Sequence, residues 1–316
     1  MANRPGPTVV VLGSVHMDLI ARADRLPGPG ESVVGNNFTM GPGGKGGNQA
    51  CQLALAGANA YIAARLGDDD FGRQLLAELK VRGVDTSCVA IDAEFPTGAS
   101  TIFSGEGDYS SIIVPGAASR LSVEDIERAR PAIADADALV VQMELPVGLS
   151  GHAAAMAAAM GKAVIVNASP APDSWSDIPQ SLWRATSLLI VNAVEAGRLL
   201  GRTLQDNQLN AGLAELAARS GIETIVVTLG SKGAAAFTGG ELVCQAALPV
   251  EPVDAVGAGD AFLGAFIAGR LEGLPISDAL RRGVAAGALA VSRPGVHDAL
   301  PSRHEIDAFL SRTIES

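Results

Sequence analysis

The sequence predicts an α/β protein, a doubly wound, mostly parallel sheet with helices on both faces, plus a small β-sheet lid. Two observations predict the large sheet. Six short runs rich in β-branched residues recur along the chain, "TVVVLG", "AYIAARLG", "ALVVQM", "AVIVNA", "SLLIVN" and "TIVVTLG", each too apolar to have a wet face. Such continuous apolar strands belong in a parallel sheet covered on both sides. Between them stand segments of helical length, "FGRQLLAELKVRG", "GHAAAMAAAMGK", "NQLNAGLAELAARSG" and "SDALRRGVAAGALAVS", whose Ala and Leu supply the covering layers. A third observation predicts the lid. Segments 14–40 and 97–115 keep a period of two without helices, and "TIFSGEGDYSSIIV" reads as a hairpin turning at Gly105 to Asp108. A few strands with no core of their own are marginal in water, so this sheet is expected to cover a cleft, pair with a second subunit, or both.

With 316 residues and 48% hydrophobic content, the chain buries a full-sized core and reads as one domain, 1–316. A formal charge of −11 with no basic patch argues against a nucleic-acid or anionic-membrane partner. Cys51, Cys88 and Cys244 lie far apart, without CxxC spacing, and read as buried thiols rather than a disulfide framework or zinc site. The N-terminal apolar run is too short for a signal-peptide core and no later run approaches a membrane span, so the expectation is a cytoplasmic protein.

The chemistry-bearing stretches fall at strand ends. In "GSVHMDLI" the first strand ends but the chain stays extended, which places His16 and Asp18 on one face and Val15, Met17 and Leu19 on the other. Asp18 is then an acceptor for neighbouring hydroxyls, as a sugar diol requires, or a turn Asp beside a surface His. "GPGGKGGNQA", Gly41 to Ala50, fails as a P-loop because Gly46 follows Lys45. Gly41, Gly43 and Gly46 match the GxGxxG spacing, which keeps an NAD-dependent dehydrogenase as a rival; the weak strand "NNFTM" before it, and its distance from the first strand, speak against that. Lys45 and Asn48 amid the glycines suit a polar small-molecule site.

"VQMELP" puts Glu144 at another strand end. In "IVNAVEAGRLL", Asn192 ends a strand and Glu195 lies near a helix start, either as a capping box or, beside a nucleotide, facing magnesium and its waters. "VTLGSKGA" offers Thr228, Gly230, Ser231, Lys232 and Gly233 for wrapping phosphates and a base, or a plain hairpin turn. Finally "DAVGAGDAFLGAFIAG", Asp254 to Gly269, strips the backbone bare before an apolar helix, as a capping corner or as an anion site.

Together, "GSVHMD", "GGKGGNQ", "VQME", "VNAVE", "TLGSKG" and "DAVGAGD" resemble the motifs of the ribokinase-like (phosphofructokinase B type) carbohydrate kinases, in family order and over essentially the whole chain. The resemblance implies an ATP-dependent kinase that phosphorylates a primary hydroxyl, with D-ribose to D-ribose 5-phosphate as the leading reaction and another sugar or a nucleoside as the alternative. It implies an anion hole of backbone N–H groups over Gly257, Ala258, Gly259 and Asp260, with Asp260 as the base. His16, Asp18, Gly44, Lys45, Asn48 and Glu144 would bind the sugar. Asn192, Thr228, Gly230, Ser231, Lys232, Gly233 and Gly259 would bind ATP, with Glu195 and Asn192 toward Mg2+. Asp254, Val256, Ala290, Arg293 and Gly295 would hold K+, an oxygen-only set. A homodimer through the lid is also implied.

Five positions depart from the family's usual residues. His16 replaces Asn at a sugar contact, Ala255 replaces Thr, Ala118 replaces a lid Asn, Ala299 replaces a Ser of the cation site, and Val284 stands where a polar ring lies near adenine. A non-catalytic sugar- or nucleotide-binding module remains a rival, opposed by the intact Asp260, Asn192 and Glu195.

Overall fold

The computed structural model describes residues 6–105 and 108–313; the expected turn residues Glu106 and Gly107, and residues 1–5 of the N-terminal stretch, lie outside the described residues. The chain begins with β1 (Thr8–Leu12), crosses to a small sheet in β2 (His16–Arg22) and β3 (Asn37–Gly43), and returns through α1 (Lys45–Leu55) to β4 (Asn59–Gly67). Helix α2 (Asp70–Val81) leads to β5 (Val89–Asp92), and β6 (Thr97–Gly105) and β7 (Asp108–Gly116) complete the small sheet. Regular alternation follows: α3 (Val123–Asp135), β8 (Ala138–Val141), α4 (Val147–Ala159), β9 (Ala163–Asn167), α5 (Gln180–Ala185), β10 (Leu188–Asn192), α6 (Ala193–Leu200), α7 (Leu209–Ser220) and β11 (Thr224–Thr228). An antiparallel pair, β12 (Ala234–Thr238) and β13 (Glu241–Gln245), precedes α8 (Ala258–Leu271), α9 (Ile276–Val291) and α10 (Arg303–Arg312).

The large sheet runs β13-β12-β11-β10-β9-β8-β1-β4-β5, parallel from β11 to β5. Its central strands β1 and β8 to β11 are dry on both faces over most of their length, as their composition predicts, whereas the edge strands β5 and β13 are partly wet. Val9 and Val11 of β1 join the core under α1, α8 and α9, while Val10 and Leu12 join the one under α3, α4 and α7. From β1 the chain winds outward through β4 and β5, returns to β8 on the other side, and winds outward again to β11. The reversal lies between β1 and β8, where loops leaving the carboxyl ends diverge and open a crevice.

The small sheet has the order β3-β2-β6-β7. Pairing of Asp18 with Gly41 and Ser100 sets one face, shared with His16; the opposite face carries exposed Phe38, Met40, Phe103 and Ile112. The expected period-two segment over 14–40 is interrupted: residues 23–36 are irregular, and β3 runs on to Gly43. Pro27 and Pro29, set among Gly28 and Gly30, cannot sustain a ladder there. One cysteine reading is corrected. Cys51 and Cys88 are buried, but Cys244 is exposed because it lies on β13, at the edge of the sheet. Among the described residues, no helix is long and apolar enough to cross a membrane.

Candidate active site

Helix α8 starts without a side-chain cap. Its N-cap is Gly257, in the left-handed conformation at φ 79°, and a Cβ there would lie 3.0 Å from Val296 Cγ1. Glycine meets both demands. Ala258 N–H bonds back to the Ala255 carbonyl at 3.4 Å, while the N–H groups of Gly259 and Asp260 have no acceptor one turn earlier in the helix. A Cβ on Gly259 would meet nothing within 4 Å, so the space over this positive helix end is open.

Asp260, in the first turn, is buried at 7% exposure. Asn48 Nδ2 donates to its Oδ2 at 2.9 Å and Gln49 Nε2 donates to its Oδ1 at 2.8 Å, both from α1. Gln49 Nε2 also donates to Asn167 Oδ1 at 3.0 Å, and Gln49 Oε1 accepts from Gln142 Nε2 at 2.7 Å. A floor of amides from α1, β9 and the end of β8 thus fixes the carboxyl group. Burial pushes the Asp260 pKa up, against the pull of the Lys45 ammonium and the two amide hydrogen bonds. Burial would by itself lower the Lys45 pKa, but Asp260, Glu144 and Glu195 together hold it above the usual lysine value.

Around this pair stand the other sugar candidates. His16 Nε2 lies 3.2 Å from Asp18 Oδ1, and both side chains are buried. A Cβ on Gly43 would overlap the Asp18 carboxylate, which explains a glycine at the end of β3. Gly44, at φ 91°, turns the chain into α1. Glu144 Oε2 accepts from Ser14 Oγ and from Lys45 N at 2.9 Å, tying together the loops after β1, β3 and β8.

The nucleotide candidates are more open. Asn192 and Glu195 form a complete capping box: Glu195 N donates to Asn192 Oδ1 at 2.8 Å and Asn192 N donates to Glu195 Oε2 at 2.8 Å. The capping reading is therefore realised, and it fixes the Glu195 carboxylate close enough to Lys45 to act on its charge. Thr228 ends β11, and Gly230, Ser231 and Lys232 form a 3-10 turn into antiparallel β12, so the hairpin reading is realised too. Gly233 has φ 99°, while the exposed Lys232 ammonium is drawn aside to Asp206.

The cation candidates form a separate cluster. Asp254 N donates to the Val291 carbonyl at 3.1 Å, which sets Asp254 and Val256 beside the end of α9, and Asp254 Oδ1 accepts from Val256 N at 3.0 Å. The Ala290 carbonyl accepts from Arg293 N at 3.1 Å, the Arg293 guanidinium bonds Glu305 at 2.7 Å, and Gly295 has φ 85°. Ala118, Val284 and Ala299 are buried, whereas Ala255 is exposed.

Gln49, Gln142, Asn167 and His297 were not singled out from the sequence. For Gln142 and Asn167 the signal is a polar residue in an otherwise apolar run, "ALVVQM" and "AVIVN"; Gln49 and His297 carry no such local signal. The dehydrogenase alternative does not survive. Gly41 and Gly43 belong to β3 of the small sheet and Gly46 lies inside α1, so no large-sheet strand feeds the glycines.

A family model described as "pfkB family carbohydrate kinase" matches residues 7–303. A ribokinase of Haemophilus influenzae is 31% identical over 304 residues, covering 96% of this chain and 98% of the relative. A deoxyribokinase of Salmonella typhi is 29% identical, over 96% of this chain and 98% of the relative. The solved structure of Arabidopsis thaliana ribokinase complexed with ribose and ATP superposes with a TM-score of 0.87 at 30% identity, covering 96% of this chain and 99% of that one.

Proposed function

The chain belongs to the pfkB family of carbohydrate kinases and is an ATP-dependent sugar kinase; on that premise we propose that it converts D-ribose to D-ribose 5-phosphate in the cytoplasm. One observation carries the mechanism. A buried carboxylate, Asp260, held at both oxygens from below, sits in the first turn of an uncapped helix that opens onto free space.

Each Asp260 oxygen keeps a lone pair beyond the amide it accepts. Asp260 takes the proton from the primary hydroxyl as that oxygen attacks the γ-phosphorus in line, and the elevated pKa makes it a stronger base than a surface Asp. The N–H groups of Gly259 and Asp260, with the preceding Gly257–Ala258 turn, receive the transferring phosphoryl group. Lys45 balances the charge between the two substrates. His16, Asp18, Gly44, Asn48 and Glu144 orient the sugar; Asn192, Thr228, Gly230, Ser231, Lys232 and Gly233 receive ATP.

For Mg2+ the donor set fits: the Glu195 carboxylate is fixed by its cap, with Asn192 beside it, and one carboxylate oxygen lies beyond the capping bond. When bound with ATP the ion neutralises phosphate charge. The K+ candidates also fit by chemistry, since Asp254 and the carbonyls of Val256, Ala290, Arg293 and Gly295 offer oxygens alone; Ala299 adds no hydroxyl. The exposed apolar face of Phe38, Met40, Phe103 and Ile112 supports a homodimer through the small sheet, which acts as the lid. A second reading, 2-deoxy-D-ribose, is favoured by the deoxyribokinase relative and by His16, which engages one oxygen of Asp18.

The test is sugar-dependent ADP release with ATP and Mg2+ over a panel of pentoses, 2-deoxyribose, hexoses and nucleosides, with and without K+, and phosphorus NMR of the product. Ribose 5-phosphate as the fastest product supports the first reading. No sugar-dependent ADP release at all overturns both.

A further inference from the structure

The turn His297–Ala299, after α9, touches both halves of the phosphoryl-transfer centre. Val296 packs on Gly257 at the helix tip, and His297 Nε2 lies 3.1 Å from Asn48 Oδ1. On the other side of the ring, Nδ1 lies 3.7 Å from Cys51 Sγ. All four members, Cys51, His297, Asn48 and Asp260, are buried.

Only one polarity satisfies this chain of contacts. An ionised Asp260 has no proton to give, so the Asn48 amide must turn its Nδ2 toward the carboxylate and its Oδ1 toward His297. An acceptor at that point needs a proton on His297 Nε2. With the ring proton on Nε2, the buried neutral imidazole has a bare Nδ1 that must accept. Cys51 supplies that donor: burial pushes its pKa up to about 12, and it keeps its S–H. The Glu78 carboxylate, 3.8 Å from Nδ1, is beyond hydrogen-bond reach and is engaged by Arg82 Nε at 2.7 Å.

We propose that His297 is a positioning residue for phosphoryl transfer: its Nε2–H, oriented by the Cys51 thiol, holds the Asn48 amide in the one rotation that presents a donor to the Asp260 carboxylate. Without it the amide is free to rotate and set an oxygen against that carboxylate, turning a hydrogen bond into a repulsion. The proposal rests on the assignment of Asp260 as base.

The test compares His297→Met, which keeps bulk and loses the donor, with His297→Gln, whose amide donates in its place. His297→Met is expected to lower kcat about tenfold to hundredfold with the KM for ATP unchanged, as a misplaced reacting group does. His297→Gln is expected to restore kcat to within about threefold of wild type, the size of a modest hydrogen-bond difference. In an Asn48→Ala background, His297→Met should cost nothing further, whereas a packing defect would add its own loss. Imidazole nitrogen NMR of the wild-type protein, which needs no variant to fold, should show a protonated Nε2 and a bare Nδ1. A bare Nε2, wild-type turnover in folded His297→Met, or His297→Gln as impaired as His297→Met overturns the proposal. A wild-type protein without sugar kinase activity would instead overturn the function on which it stands.

Discussion

The two halves of the crevice are built in opposite ways. On the sugar side His16, Asp18, Asn48 and Asp260 are buried and locked to one another or to neighbours by hydrogen bonds and charge. On the nucleotide side Asn192, Gly230, Ser231 and Lys232 are exposed, and main chain at glycines does much of the shaping. Buried polar groups must be satisfied before substrate arrives, so the sugar half is preorganised and intolerant of change. The exposed part of the other half, already solvated, is expected to tolerate substitution better than its buried members Glu195 and Gly233. On the proposed assignment, specificity and proton transfer reside in one half, and a generic phosphate grip in the other.

Substitutions sharpen that contrast or break it. Asp260→Asn should lower kcat about 10²- to 10⁴-fold, the range for losing a general base, measured by ADP release at saturating sugar and ATP. A smaller loss would move the proton acceptor elsewhere. Lys45→Met should reduce kcat/KM about tenfold to hundredfold through lost charge balance. It also has a pH signature. The Asp260 pKa is already raised, so activity falls as pH drops through a value above the usual 3.8; removing the ammonium that opposes this rise moves that acid limb to still higher pH. An unmoved limb in a kcat/KM profile would contradict the coupling.

His16→Asn should change the ratio of kcat/KM for ribose over 2-deoxyribose about tenfold, because it frees the Asp18 oxygen that His16 now contacts. An unchanged ratio would remove His16 from selectivity. Lys232→Ala should shift the KM for ATP less than about threefold and leave the sugar KM alone, since an exposed pair such as Lys232 with Asp206 is worth little. A large effect there would erase the difference between the halves.

The apolar strands β1, β4 and β8–β11 were legible because burial on both faces leaves few polar positions, most of them at strand ends. The edge strand β13 and its neighbour β12 were not. β12 is "AAAFT", where alanines carry little strand preference, and β13 is half wet. Helix α3 escaped notice because charges crowd it and Pro131 interrupts its turns, although a Ser122–Asp125 capping box starts it. Motif residues of the site were legible from their glycine context. The amides beneath them were not, since nothing local tells that Gln49 meets Asn167 and Asp260, or that Asn48 meets His297.

Those last partnerships join parts of the chain far apart in sequence: Asp260 takes its hydrogen bonds from residues 212 and 211 positions earlier, and His297 stands 249 positions after Asn48. During synthesis the sugar-facing loops leave the ribosome long before the base and its helix exist. A chain that stops before α8 therefore lacks the carboxylate and the imidazole that Asn48 and Gln49 meet, and the helices that share a core with α1, so the sugar-facing loops reach their final arrangement only when the last helices dock.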